Sequence, residues 1–149
     1  RERERHKNSS WNPTQNCEIT VFGGSQLRPN IHIADMVEAY VVLLKASKIK
    51  IAGEIFNVGY ENQSVLEIAQ TVKSVVGNDV KLVTLPTADN RSYYISSKKI
   101  KNQLGFEASH SVRDAIEDLV AAFKQGLLPN SLEDENYFNI KKMQSIKLI

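Results

Sequence analysis

The sequence is poor in the features that would assign it to several large classes of protein. It has a single cysteine, Cys17, so it can form neither an intrachain disulfide nor a cysteine-rich metal site, and we expect a reducing, cytoplasmic location. Its 19 basic and 17 acidic residues leave a formal net charge of only +2, which indicates neither a nucleic acid nor a membrane surface as partner. No apolar run approaches the roughly 18 residues of a membrane span, and we recognise no signal peptide.

Glycine is also scarce, and it is never clustered in the way that a dinucleotide-binding loop requires. The seven glycines, at positions 23, 24, 53, 59, 77, 105 and 126, form neither GxGxxG nor GxxGxxG. We therefore expect no cofactor to bind to this chain alone. No three ligands fall at the spacing of a metal site, so we expect no metal either.

Tyr94 and Lys98 have the Tyr-x-x-x-Lys spacing of a dehydrogenase acid/base pair. Tyr94 precedes the expected start of a helix whereas Lys98 lies inside it, so the two are not expected one turn apart on a single helix. Such a pair also needs a nicotinamide held beside it, and the sequence has no loop for that cofactor. We interpret the spacing as a chance match and expect no catalytic residue in this chain.

What the sequence does contain is an alternation of short strands and amphipathic helices, which predicts an α/β fold with a small mixed sheet and about four helices. The predicted strands are EITVF, EIFNVG and VKLVTL, at 18–22, 54–59 and 80–85. The predicted helices span 32–47, 64–77, 96–105 and 111–126. Two of them open with a capping box, Ser64 with Glu67 and Ser111 with Asp114, and Ser96 is the expected cap of the short third helix.

The two ends of the chain differ from this middle part. Residues 1–16, RERERHKNSSWNPTQN, alternate in charge and offer only Trp11 for burial, so we predict a charged, disordered lead, with a basic nucleic-acid arm as the alternative. Residues 17–126 form the predicted α/β unit. Residues 127–149 form a C-terminal extension with a polar linker and a weakly amphipathic segment.

Three segments carry a family resemblance: GGSQLRPNIHIADMVEAY, EIFNVGYENQSVLEIAQTV and DNRSYYISSKKIKNQLGFEASHSVRDAIEDL. In this order and spacing, over about residues 18–123, they resemble the C-terminal half of the extended short-chain dehydrogenase/reductases, the NAD-dependent nucleotide-sugar epimerases and dehydratases. In that family an N-terminal Rossmann half binds NAD(P) and carries the Tyr/Lys pair, and the C-terminal half closes over the nucleotide sugar. The resemblance implies that 17–126 is the substrate-binding half of a Rossmann-like fold, and that the charged lead is unrelated to the family.

The resemblance also implies a nucleotide site. Arg28 in QLRP matches the family arginine that contacts the nucleotide diphosphate, and Arg91 in DNRSY matches a second one. Two arginines from separate loops suit a pyrophosphate, because each planar guanidinium can donate a pair of charge-assisted hydrogen bonds to its oxygens. Either arginine alone could equally be a surface residue. Gln26, Asp89 and Asn90 flank the pair and are predicted to orient it or to reach the sugar or ribose.

Other polar residues receive structural interpretations. His32 lies between two isoleucines where a helix starts, so we predict a histidine at the edge of the core that is hydrogen-bonded to backbone. Asp35 is expected to cap or begin that helix, since a carboxylate is favoured at its N-terminal end. His110 precedes the Ser111 cap and is assigned no role.

Two functions of different classes follow from these expectations. The first is the nucleotide-sugar binding portion of an NAD-dependent epimerase or dehydratase, inactive alone because the cofactor loop and the Tyr/Lys half are absent. Its partners would be a nucleoside diphosphate sugar and the missing Rossmann half or a second copy. The alternative is a non-catalytic binding or interaction module derived from that fold. Alone, this chain should expose apolar faces that the missing half would cover, and such faces favour association.

Overall fold

The computed structural model describes residues 18–77, 79–89 and 91–146. The predicted lead at 1–16 lies outside the described residues, as does Asn90. The α/β prediction is confirmed. The parallel and the antiparallel pairings, expected in one small mixed sheet, lie in two separate two-stranded sheets. Strands β1 (Glu18–Phe22) and β4 (Lys81–Leu85) pair in parallel, and β2 (Leu27–Asn30) pairs antiparallel with β3 (Glu61–Ser64).

The four predicted helices are found in the structure, together with two short ones in the described part of the chain. In chain order the helices are α1 (Ile33–Lys45), α2 (Lys48–Ile51), α3 (Val65–Val76), α4 (Lys98–Leu104), α5 (Val112–Lys124) and α6 (Asn139–Ser145), with a 3₁₀ turn at Glu135–Tyr137. Among the described residues, no helix combines the length and the apolar character that crossing a bilayer requires.

Both predicted capping boxes are confirmed. At the start of α3, the backbone N–H of Glu67 donates to Ser64 Oγ at 3.2 Å, and the Ser64 N–H donates to Glu67 Oε2 at 2.7 Å. Ser111 and Asp114 exchange the same two bonds at the start of α5. Each box satisfies two backbone donors that would otherwise lack a partner in the first helical turn.

The strand predicted at 54–59 is wrong, because this segment pairs with no strand in the described part of the chain. A single side chain satisfies both backbone groups of Gly59: its N–H donates to Ser97 Oγ at 2.8 Å, and the Ser97 hydroxyl donates to its carbonyl oxygen at 2.7 Å. Phe56 and Val58 still pack on the core, which explains the apolar pattern. Ser97 rather than Ser96 is also the residue that precedes α4.

The core joins α1 and α4 to the segment that follows α4. Its buried members are Ala39, Ile100, Phe106 and Ala108. Because Phe106 and Ala108 are anchored against α1, residues 109–111 are held beside the N-terminal end of that helix. This packing positions a polar cluster described below.

Candidate functional site

The extended segment after residue 90 runs beside the β2–β3 ribbon. The Leu27 N–H donates to Ser92 Oγ at 3.1 Å, and the Tyr93 N–H donates to the Leu27 carbonyl oxygen at 3.1 Å. Farther along, the Asn62 side chain exchanges two hydrogen bonds of 3.0 Å with the backbone of Ile95. These contacts hold the segment after residue 90 against a ribbon that is distant from it in sequence.

Arg28 on β2 is held by backbone carbonyls and by an aromatic ring. Its Nη1 donates to the carbonyl oxygens of Leu27 and Arg91, at 2.9 and 2.6 Å, and the second of these bonds spans 63 positions. Its guanidinium carbon lies 5.3 Å from the ring centroid of Tyr93, within the range of a cation–π contact. Arg28 is therefore a fixed donor. Sequence reasoning missed Tyr93, although it lies in the same short motif as Arg91.

Arg91 is gripped by a carboxylate two residues before it. Its Nε donates to Asp89 Oδ1 at 2.7 Å and its Nη2 to Asp89 Oδ2 at 2.9 Å, a two-pronged ion pair. These hydrogen bonds hold the pKa of the Asp89 carboxyl well below its usual range, and they raise the pKa of Arg91. Arg28 Nη2 lies 4.0 Å from the same Asp89 Oδ2. Three predicted site residues, Arg28, Arg91 and Asp89, thus meet at one exposed place.

Gln26 has a different position from the one its neighbours suggest. It is buried, its side-chain oxygen accepts from the Gly24 N–H at 2.6 Å, and its side-chain nitrogen donates to the Phe22 carbonyl oxygen at 2.8 Å. The turn that it braces contains Gly23 with φ of 77°, a conformation that favours glycine. Both polar atoms are used inside the chain, so the structure gives Gln26 a structural role. Its binding of substrate stays a prediction, as does that of Asn90.

A second polar cluster forms where α1 and α5 begin. Asp35 is fully buried and accepts hydrogen bonds from the backbone N–H groups of Ser109 and His110, at 3.2 and 2.9 Å, and from His110 Nδ1 at 2.8 Å. Asp35, expected to cap or begin α1, lies in the first turn of that helix. It does not cap the helix: its side chain accepts hydrogen bonds from the segment before α5, and His32 Nδ1 accepts the capping bond from the Ala34 N–H at 3.2 Å. The prediction of a core-edge, backbone-bonded His32 is confirmed.

The contacts in this cluster shift the pKa values of Asp35 and His110. Burial raises the pKa of Asp35, but the hydrogen bonds from His110 and Ser109 outweigh it and leave that pKa below its ordinary value. The hydrogen bond to Asp35 raises the pKa of His110. The His32 and His110 rings stack at 4.8 Å, and His32 Nε2 lies 3.3 Å from Asp118 Oδ2. Because the buried carboxylate is fully bonded by the chain, we interpret the cluster as structural.

A cavity of about 210 Å³ lies beside the two histidines. The apolar face of α5 forms one side of its wall, and Glu61 from β3 also lines it. The Glu61 carboxylate accepts the Val112 N–H at 3.0 Å, so it also has a partner within the chain. Within the described ranges, no group of three His, Cys, Asp or Glu side chains could hold a metal ion.

The positions of Tyr94 and Lys98 agree with the interpretation of their spacing as chance. Lys98 is the first residue of α4, and Tyr94 lies in the non-helical segment before it with 72% of its surface exposed. The two side chains are therefore not one turn apart on a helix.

Part of the chain is similar in sequence to a known enzyme family. Residues 4–59 match the model of the NAD dependent epimerase/dehydratase family. The match begins inside the segment expected to be unrelated to the family, so that expectation is wrong for residues 4–16. Alternating charge indicates exposure to solvent and says nothing of ancestry. The predicted disorder of this segment stays a prediction.

Individual relatives extend the similarity beyond residue 59. UDP-arabinose 4-epimerase 1 of Arabidopsis thaliana is 32% identical over 91 residues, which are 59% of this chain and 22% of that protein. UDP-glucose 4-epimerase of Corynebacterium glutamicum is 31% identical over 101 residues, 64% of this chain and 30% of that protein. The chain thus spans less than a third of the length of these two relatives.

Solved structures show the same fold. UDP-glucuronic acid 4-epimerase from Bacillus cereus, in complex with UDP-glucuronic acid and NAD, superposes with a TM-score of 0.63 at 25% identity, over 72% of this chain and 35% of that one. L-threonine dehydrogenase from Phytophthora infestans superposes with the same TM-score at 13% identity, which supports the fold alone.

Proposed function

We propose that this chain, related to the NAD dependent epimerase/dehydratase family, is the nucleotide-sugar binding portion of such an enzyme and binds the diphosphate through Arg28 and Arg91. The observation that carries the proposal is the convergence of these two guanidinium groups. They lie 63 positions apart in sequence, yet Arg28 donates to the Arg91 backbone, and both lie near one carboxylate.

The chemistry of the pair suits a diphosphate. Arg28 is fixed by two carbonyl oxygens and Tyr93, which lowers the conformational entropy lost when it binds an anion. Arg91 has a side chain that is 73% exposed and therefore accessible to a ligand. The relative from Bacillus cereus was solved with UDP-glucuronic acid, which contains a diphosphate. A uridine diphosphate sugar is accordingly the ligand class that we propose.

The nicotinamide cofactor is assigned to a part of the enzyme other than this chain. A dinucleotide pyrophosphate needs a glycine-rich turn that leads into a helix, and none of the seven glycines forms one. The described helices α1, α3 and α5 begin at side-chain caps, His32, Ser64 and Ser111. These residues do not fit the cofactor, so we derive no hydride step from them. We propose that the chain alone is inactive and that the intact enzyme removes and returns a hydride on the sugar.

Titration calorimetry with UDP tests the binding proposal. Arg28→Ala and Arg91→Ala should each weaken UDP binding about 10-fold to 100-fold, because charge-assisted hydrogen bonds contribute roughly 1.5–3 kcal/mol each. Arg113→Ala is the matched control, since Arg113 lies on α5 and contacts Ser74 and Glu117 instead. Equal UDP affinity in all four proteins would exclude the two arginines as the diphosphate site.

A second candidate, an interaction module without catalysis, is favoured by the exposed face of α1. Five apolar side chains at helical spacing are between 38% and 85% exposed there: Ile33, Val37, Tyr40, Val41 and Leu44. Such a face usually marks a contact with another protein surface. In this alternative the chain binds a complete subunit, and replacing Arg28 and Arg91 leaves that binding unchanged.

A further inference from the structure

The ion pair between Asp89 and Arg91 has a consequence for ligand binding. The Asp89 carboxylate accepts hydrogen bonds from Nε and Nη2 of Arg91. These two nitrogens form the edge of the guanidinium that can bind a pair of anionic oxygens. The same carboxylate lies 4.0 Å from Arg28 Nη2. We propose that Asp89 is an internal competitor for the arginine site, which a bound diphosphate must displace from Arg91. The inference rests on the function proposed above and adds a means of controlling that site.

The ion pair between Asp89 and Arg91 is of a kind in which a ligand can replace the carboxylate. The side chain of Asp89 is 44% exposed and that of Arg91 is 73% exposed, and exposed ion pairs contribute little to stability because solvent screens them. By contrast, Arg28 donates to carbonyl oxygens that belong to the fold. Arg91 can therefore release Asp89 without disturbing the ribbon, while Arg28 stays in place. This contrast assigns the exchange to Arg91.

The local backbone keeps the competitor in place. The Asp89 N–H donates to Thr87 Oγ1 at 3.1 Å, and the Arg91 N–H donates to Asp89 Oδ1 at 3.2 Å. These two bonds hold the carboxylate opposite its own arginine. A competitor attached two residues away acts at a high effective concentration, so a weakly charged ligand displaces it poorly. Asp89 thereby favours ligands that carry several negative charges.

The variant Asp89→Asn distinguishes a residue that competes with the ligand for Arg91 from a residue that supports Arg91 in binding it. Asp89→Asn keeps the shape of the side chain but removes its charge, so UDP should bind about tenfold more tightly, whereas uridine, which has no phosphate, should bind as before. Glu107→Gln is the matched control: it makes the same change in net charge at a residue paired with Lys101. Calorimetry at fixed ionic strength measures both, and melting curves check that the variants fold. Asp89→Ser serves as a second variant.

A double variant tests whether the effect passes through Arg91. In Arg91→Ala the guanidinium for which Asp89 competes is absent. Adding Asp89→Asn to this variant should therefore leave its residual UDP affinity unchanged. NMR at millimolar UDP measures this affinity. Weaker binding in Asp89→Asn would make Asp89 a support for Arg91 and overturn the inference. Equal tightening in Glu107→Gln would trace the effect to overall charge and overturn the inference too. Tightening that persists in the Arg91→Ala background would trace it to direct repulsion between Asp89 and the ligand, which also overturns the inference. Absence of UDP binding in every protein, including the wild type, would instead refute the proposed function itself.

Discussion

The buried carboxylate of Asp35 accepts a hydrogen bond of 2.8 Å from Nδ1 of His110, a residue 75 positions later in the chain. The two residues lie at the starts of different helices, α1 and α5. Their contact, with the two backbone N–H groups that also donate to Asp35, ties the segment before α5 to the end of α1.

Replacing Asp35 with alanine should lower the free energy of unfolding by about 3 kcal/mol, because it leaves two backbone donors and His110 without the buried acceptor that they share. Urea denaturation followed by circular dichroism measures the change. Glu38→Ala, at an exposed position of the same helix, should cost less than about 0.5 kcal/mol. Similar losses in the two variants would contradict the role given to Asp35.

The link should make stability depend on pH. The pKa of His110 is raised by Asp35, so its stabilisation is complete below the ordinary histidine value of 6.5 and is lost as pH rises through the folded-state pKa. The pKa of Asp35 is lowered, so its own contribution is lost only when pH falls through that lower value in acid. Between pH 6 and pH 9 the urea midpoint should therefore fall, and it should fall less in His110→Gln. An identical fall in both proteins would count against the ion pair.

Gln26 allows a structural role to be distinguished from a binding role. Gln26→Ala removes both hydrogen bonds that brace the turn after β1 and should lower the unfolding free energy by about 1–3 kcal/mol. If the role is structural, the folded variant should keep the UDP affinity of the wild type. A selective loss of UDP binding with unchanged stability would restore Gln26 as a substrate contact.

The serines that precede α3 and α2 should contribute differently to the free energy of unfolding. Ser64→Ala breaks a complete capping box on α3 and should cost about 1 kcal/mol. Ser47 occupies the corresponding position before α2, but its side chain makes no capping hydrogen bond, so Ser47→Ala should cost almost nothing. Thermal melting of the two variants compares them directly. A larger loss from Ser47→Ala would show that cap geometry is not the source of the effect.

The exposed face of α1 should drive association of the isolated chain. Replacing Val37 and Leu44 with lysine should shift the molecular mass measured by light scattering towards that of a monomer, because less apolar surface is then available for contact. Leu132→Lys is the control, since Leu132 is as exposed as Leu44 but lies outside α1. A wild-type chain that is monomeric and melts cooperatively at high concentration would refute this prediction.

The sequence by itself determined the features that depend on neighbouring residues. The capping boxes of α3 and α5 span four residues each, and the apolar stripes of the helices repeat within a few turns, so both can be seen in a short window. The family resemblance singled out Arg28 and Arg91 as a predicted diphosphate site, and the structure places the two residues close together. The strand predicted at 54–59 is absent because a strand requires a partner, which no short window contains.

Tertiary structure decided everything that depends on distant partners. Strands β2 and β3 are short and polar, so only their pairing defines them. The contact of Asp35 with His110 spans 75 positions and that of Arg28 with the Arg91 backbone spans 63. Gln26 lies two residues from Arg28, yet its side chain turns inward to brace a glycine turn. The physical reason is that a polar group takes its role from the donor or acceptor that folding brings to it, and burial and packing, which act over the whole chain, decide which one that is.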